Sequence, residues 1–149
     1  MKTFQIIKTF GAENGFSCAF RQWRAKSDCK YIHGYSLGFK LVLETSELDE
    51  NSWVYDFGGF KQVRRWIESH FDHTLIIAND DPEKEKLINL QEGKIAKIIE
   101  FDDVGCEKFA DYTFNFVDGY ISSETKNRVK LVSVEVFEHG ANSARIKNI

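Results

Sequence analysis

Apolar and polar positions alternate from Ser36 to Glu44, with Leu37, Phe39, Leu41 and Leu43 on one parity and Ser36, Gly38, Lys40 and Glu44 on the other. A period of two belongs to a half-buried strand, whose successive side chains point to opposite faces. Upstream, Thr3 to Phe10 and Phe16 to Arg21 are rich in aromatic and β-branched residues and flank Gly11-Ala-Glu-Asn-Gly15, a turn-like sequence that predicts a hairpin. From Asp56 the period lengthens. Phe57, Phe60, Val63, Ile67 and Phe71 recur at helical spacing with Arg64, Arg65 and Glu68 between them, and Asp56 is placed to cap a helix over about Phe57 to His70. Ile95 to Phe101 reads as a short strand or an irregular lead-in. Asp102 or Asp103 then opens a second helix that carries Phe109, Ala110, Thr113, Phe116, Val117 and Tyr120 on one side. Val129 to Phe137 is strongly β-branched, and Val132, Val134 and Val136 form an apolar face that continues into Glu138. Strands followed by helices and a final strand predict an α+β fold.

Composition narrows the picture. The chain has 149 residues, 42% hydrophobic and 14% aromatic, and a domain of that size buries roughly 68–70% of its unfolded surface, enough for a core without staples. Pro82 is the only proline and no repeat or low-complexity run interrupts the sequence, so residues 1–149 are expected to form a single domain. The 20 basic and 23 acidic side chains leave a net charge of -3, which lacks the broad positive field of a non-specific nucleic-acid binder. No apolar run reaches the about 18 residues of a membrane span. The start, Met1 to Phe10, has neither a long apolar stretch nor a small-residue cleavage site, so a cytoplasmic chain is expected. Cys18, Cys29 and Cys106 are odd in number and contain no C-x-x-C pair, which argues against both a disulfide framework and a zinc knuckle.

Several side chains could carry chemistry. His33 and Tyr35 share the parity of Leu37, so two ligand-type groups at i and i+2 converge on one face, either on a metal or substrate or as a hydrogen-bonded histidine at the mouth of the core. Asp72-His73 puts a carboxylate beside an imidazole that it could orient, although neighbouring loop residues can also act independently. Glu138 lies on the apolar parity of its strand, so its carboxylate must find a partner if the strand stays regular that far.

Taken together, Cys29-x-x-x-His33-Gly-Tyr35, Trp53-Val-Tyr-Asp56-Phe57, Phe71-Asp72-His73 and Val134-x-Val136-x-Glu138 resemble, in order and spacing, the motifs of the 6-pyruvoyl-tetrahydropterin synthase and 6-carboxytetrahydropterin synthase family. The resemblance implies a tunnelling fold: an antiparallel four-stranded sheet with two helices on one face, assembled as a homo-oligomer into trimeric barrels that pair as hexamers, with sites between subunits. It also implies a lyase acting on dihydroneopterin triphosphate, with zinc held by three histidines. By position, Cys29 would be the acid/base thiol, Asp72 and His73 its partners, and Glu138 the anchor of the pterin ring. Glu107 opens the second helix where substrate contacts are expected. Arg21 and Arg24 lie beside the expected pocket and could meet a triphosphate or stack on a ring, the plainer alternative being a solvated loop. The metal positions depart from the pattern. Phe20 and Tyr35 stand where two histidines are expected and leave His33 alone, one imidazole where a catalytic zinc takes three protein ligands. A paralogue with metal-independent pterin chemistry, or a non-catalytic binder of a pterin or purine, therefore stands beside the synthase reading.

Overall fold

In the computed structural model, which describes residues 1–149, the chain runs β1 (Phe4–Phe10), β2 (Phe16–Phe20), β3 (His33–Thr45), α1 (Lys61–Phe71), β4 (Thr74–Ala78), α2 (Lys84–Glu92), β5 (Lys97–Phe101), α3 (Cys106–Thr125), β6 (Lys130–His139) and β7 (Asn142–Lys147). The strands form one seven-stranded sheet in the order β5-β4-β2-β3-β6-β7, with β1 also on β3. The alternation read between Ser36 and Glu44 lies inside the thirteen residues of β3, whose Leu37, Phe39, Leu41 and Leu43 are all fully buried.

The expected hairpin does not form. Phe10 pairs with Phe39 and Phe16 with Leu37, both antiparallel, so β1 and β2 lie in line along the same edge of β3. The Gly11–Gly15 segment makes a single 3-10 turn that interrupts this line without reversing it. The four-stranded antiparallel sheet that the resemblance implied does not describe the molecule, whose sheet has seven strands. The whole sheet is larger and mixed, because β4 pairs parallel with β2, and β5 parallel with β4.

The helices explain why β4 escaped pattern reading, whereas β5 falls within the Ile95–Phe101 stretch, the short strand expected from the sequence. Val63, Ile67 and Phe71 of α1 and Phe109, Ala110 and Val117 of α3 pack on the Leu37–Leu43 face in one large core. Each fully buried aromatic or leucine side chain there contributes about 1.5–3 kcal/mol. The third helix, α2, covers the opposite face, where Leu87 packs with Leu75 and Ile77 of β4. β4 is thus buried on both sides, and a strand covered on both faces shows a continuous apolar run instead of alternation. At the start of α1, Asp56 Oδ1 accepts the Gly58 N–H at 2.8 Å, but the first turn is 3-10 and the α-helix proper begins at Lys61. α3 begins at Cys106, later than Asp102 or Asp103, behind Gly105 with φ 115°. That backbone angle suits glycine alone and sets the entry of the helix. In β6 the register slips between Val42 and Leu43 of its partner, so the inward positions are Leu131, Val134 and Val136, with Val132 only half-buried.

Candidate functional site

Two strand ends build the floor of the site. Phe20 faces His33 and Cys18 faces Tyr35 across the β2–β3 ladder, which brings the two pairs to the same side of the sheet. Gly34 permits the close approach, since a Cβ there would fall 2.7 Å from the Cys18 carbonyl oxygen. Phe20 packs edge-on to Phe109 with centroids 5.1 Å apart, and its ring lies 5.1 Å from His33 and 6.1 Å from Tyr35. The His33 and Tyr35 rings meet at right angles at 5.4 Å. His33 Nδ1–H donates to the Tyr31 carbonyl at 2.7 Å, so in the neutral ring Nε2 carries the free lone pair.

Above this floor lies a cavity of about 450 Å³, within the size range of small-molecule sites. Its walls include Cys29, His33, Cys106, Glu107 and Glu138. Glu138 is half-buried at the end of β6, where the pairing with β7 slips past it between Phe137 and His139. Cys29 is exposed in a 3-10 turn, with its N–H bonded to Ser27 Oγ at 3.4 Å and its carbonyl to the Gln22 N–H at 2.9 Å. Burial pushes the Cys106 thiol up to about 12, with the Glu138 and Glu107 carboxylates acting in the same direction. Burial also raises Cys18 to about 12. Both are inert packing thiols, and Cys29 is the accessible one. The cavity also takes in Gln22, Ser27, Asn142 and Ser143, which sequence reading did not single out. Gln22 stood within the Arg21–Arg24 segment, and Asn142 and Ser143 form the exposed polar start of β7, ahead of its two half-buried apolar residues Ala144 and Ile146.

The donors at the three expected metal positions do not fit zinc. Phe20 has no donor atom and is 3% exposed against the core. The Tyr35 phenol is held above its ordinary pKa by burial first and then by the charges of Glu138 and Cys29, so ionisation to a ligating phenolate is opposed. Only Nε2 of His33 remains, and nowhere do three His, Cys, Asp or Glu side chains gather closely enough to hold a metal ion.

Other expected site residues lie apart from the cavity. His73 Nδ1–H donates to Asp72 Oδ1 at 2.9 Å, and the same oxygen accepts the Ser17 N–H at 3.2 Å. His73 has φ 53° and an 83% exposed side chain. It borders a groove with Ser17, Ala19 and Gly34, whose parity is opposite to that of Phe20 and His33. Within one chain the Asp72–His73 pair and Cys29 therefore stand on opposite sides of the sheet. Arg21 makes a two-pronged bond to Asp81 at 2.6 and 2.8 Å, and Arg24 bridges Asp80 at 3.1 Å and Asp103 at 2.6 Å. Neither arginine lines the cavity; both tie the Cys29-bearing loop to the body of the protein.

Residues 9–148 match the family profile described as 6-pyruvoyl tetrahydropterin synthase. A 6-carboxy-5,6,7,8-tetrahydropterin synthase of Rickettsia typhi is 33% identical over 70 residues, 46% of this chain and 51% of that one, so the chain spans about half the length of the first relatives it matches. The protein of the same description from Aquifex aeolicus is 25% identical over 159 residues, covering 97% of this chain and 98% of its own. Among solved structures, an uncharacterised protein of Wolinella succinogenes superposes with a TM-score of 0.84 at 22% identity over 100% of both chains. The 6-pyruvoyl tetrahydropterin synthase of Plasmodium falciparum gives 0.70 at 15% identity over 98% of both. At those identities the structural likeness concerns the fold.

Proposed function

The chain belongs to the 6-pyruvoyl tetrahydropterin synthase family, and from that premise we propose that it binds a pterin in the cavity between the Cys29 turn and the end of β6, and acts on it without zinc. The observation that carries this reading is the ring cluster of Phe20, His33 and Tyr35, which fills the expected metal positions while Glu138 keeps its carboxylate on the cavity wall. The two oxygens of Glu138 match the adjacent ring and amino N–H donors of a 2-amino-4-oxopteridine, a charge-assisted pairing about twice as strong as a neutral one. With the ring so held, the Cys29 thiol and the free Nε2 of His33 border the same space and supply a proton donor and a proton acceptor to its side chain.

The chain acts as a homo-oligomer in this proposal, trimeric or hexameric, built through the open edges of β1 and β7. A second copy then brings its Asp72–His73 pair to the Cys29 side, which a single chain does not do. That ordered pair also favours a second reading, the synthase lyase reaction on dihydroneopterin triphosphate giving a 6-pyruvoyl- or 6-carboxytetrahydropterin.

Calorimetry with 6-methyl-7,8-dihydropterin and elemental analysis of the purified protein test the proposal. Binding without stoichiometric zinc is expected. Glu138→Gln should weaken that binding by about 1.5 kcal/mol or more. One tightly held zinc per chain, or unchanged affinity of the Glu138 variant, would overturn it. Zinc-stimulated turnover of dihydroneopterin triphosphate would install the second reading, and binding with no turnover of any dihydropterin would make the protein a carrier.

A further inference from the structure

We propose that Lys8, Lys61 and Arg64, which line a groove between β1 and α1, bind the phosphate chain of a phosphorylated pterin whose ring sits in the cavity of a second copy. The inference rests on the pterin reading and the edge pairing above, and adds the residues that meet the ligand's charge. The groove encloses about 300 Å³, and its wall, which includes Lys8, Asn14, Gly58, Lys61 and Arg64, contains no carboxylate. Lys8 and Lys61 make no ion pair. Arg64 is already held in place. Its Nε donates to Glu68 Oε1 at 2.7 Å, its Nη1 donates to Asn14 Oδ1, and its guanidinium carbon lies 5.3 Å from the centre of the Phe16 ring, while Nη2 makes no bond within the chain. Lys61 opens α1, where the helix end adds roughly half a positive elementary charge. Two carboxylates touch the groove's residues, Glu68 on Arg64 and Asp56 on the Gly58 N–H at 2.8 Å, against three cations and the helix end. A guanidinium fork beside two ammonium point charges suits a chain of phosphates.

The topology carries this groove to the cavity of the next copy. β1 runs antiparallel to β3, β3 to β6 and β6 to β7, so β7 and β1 run in opposite senses. In a ring of copies around an axis along the strands, β7 of one copy therefore meets β1 of the next antiparallel, with the end of β1 opposite the start of β7. That end is Lys8 to Phe10, and that start is Asn142 and Ser143, which line the cavity. Lys8 shares the parity of Ile6 and Phe10, which pack on the core, so it lies on the helix-covered side of the sheet, as Phe20 does against Phe109. Paired strands are about 4.8 Å apart, a gap that a chain of three phosphates spans. β7 itself carries Arg145 and Lys147 and no carboxylate, so the strand set beside the groove brings it no counter-charge. Glu138 of one copy takes the N–H donors of the ring, and the cations of the next copy take its tail.

Competition calorimetry on the intact oligomer, with 6-methyl-7,8-dihydropterin, 7,8-dihydroneopterin and its triphosphate, tests the proposal. The triphosphate should bind at least about tenfold more tightly than 7,8-dihydroneopterin, the worth of one charge-assisted bond. Lys8→Gln combined with Lys61→Gln should remove most of that advantage. Co-expressed oligomers that mix these copies with Glu138→Gln copies should recover tight triphosphate binding in a fraction of their sites, because an intact cavity there meets an intact groove. Recovery that neither parent oligomer shows marks a site shared between copies. No triphosphate advantage, an advantage unchanged in the double variant, or no recovery in the mixed oligomers overturns the proposal. So does inorganic tripolyphosphate that binds as tightly as the ester, which would make the groove a site for free polyphosphate. A double variant reduced to single chains by light scattering also overturns it, since the cations would then be contacts between copies. If 6-methyl-7,8-dihydropterin binds and one of these results is found, the pterin reading stands without the phosphate site. If that ring compound does not bind, the pterin reading falls and the proposal falls with it.

Discussion

Phe20 and Tyr35 stand at two of the three positions where the resemblance implies zinc-binding histidines. The β2–β3 register points residues 20, 33 and 35 to the same side of the sheet, the arrangement that three protein ligands of an open zinc site require. What is missing is nitrogen. Phe20→His combined with Tyr35→His should gain stoichiometric zinc by elemental analysis, whereas either single change should gain little, because two imidazoles make an incomplete ligand set. The double variant should also melt at lower temperature in the absence of zinc, since an imidazole replaces a ring packed edge-on to Phe109. Zinc addition should restore part of that loss. A double variant that folds and still excludes zinc would mean that neighbouring groups, such as the carbonyl held by His33 Nδ1, do not support three ligands.

At the scale of elements, the segment between β2 and β3 is held from outside by ion pairs. It has no helix or strand of its own beyond the turn at Asp28–Lys30, yet it carries Cys29. Arg21 and Arg24 clamp it to Asp80 and Asp81, just beyond β4, and to Asp103, just before α3. The Arg21–Asp81 pair dominates, because its carboxylate is buried while the Arg24 pairs lie in solvent and are worth little. Asp81→Asn should cost about 2 kcal/mol, below the 3–5 kcal/mol of a fully enclosed pair because Arg21 keeps some contact with water. The Arg21 guanidinium holds the Asp81 carboxyl below its ordinary range. A depressed folded-state value makes this contribution fully present above about pH 4 and lost as pH falls further through the folded-state value. Thermal melts from pH 7 to pH 3 should therefore show wild type and Asp81→Asn converging in acid. Parallel curves would remove the pair from the stability of the loop.

The whole molecule carries unfinished edges. β1 and β7 each leave a row of backbone donors and acceptors on one side, and exposed Phe4 and Ile7 lie on β1. Unprotected edges of this kind invite pairing with another copy. Light scattering at micromolar concentration should give a multiple of the 17.3 kDa chain mass, with three or six copies expected. A monomer would leave Asp72 and His73 stranded away from Cys29 and end their part in the proposed chemistry.

Local pattern by itself determined the α+β class, the inward face of β3 and most of the helical faces of α1 and α3, because each depends on a periodicity that one solvent-facing side imprints on neighbouring residues; it placed Phe57 inward, where the structure exposes it, and left out Phe114 and Ile121, which α3 buries. Strand parity also singled out His33 and Glu138, and the family resemblance of the motifs singled out Cys29 and Glu107; all four border one cavity. Only the tertiary structure decided the rest. β4 is apolar throughout because α2 covers its second face, and β7 alternates over only Ala144 and Ile146, too short a stretch to mark a strand by itself. The in-line course of β1 and β2 depended on β3, thirteen or more positions downstream of their paired residues. Arg21 and Arg24 looked free in sequence because Asp80, Asp81 and Asp103 are brought to them by folding. Asp72 and His73 are adjacent to each other in sequence and in space, but the side of the sheet they occupy was set by a parallel strand pairing that no local period encodes.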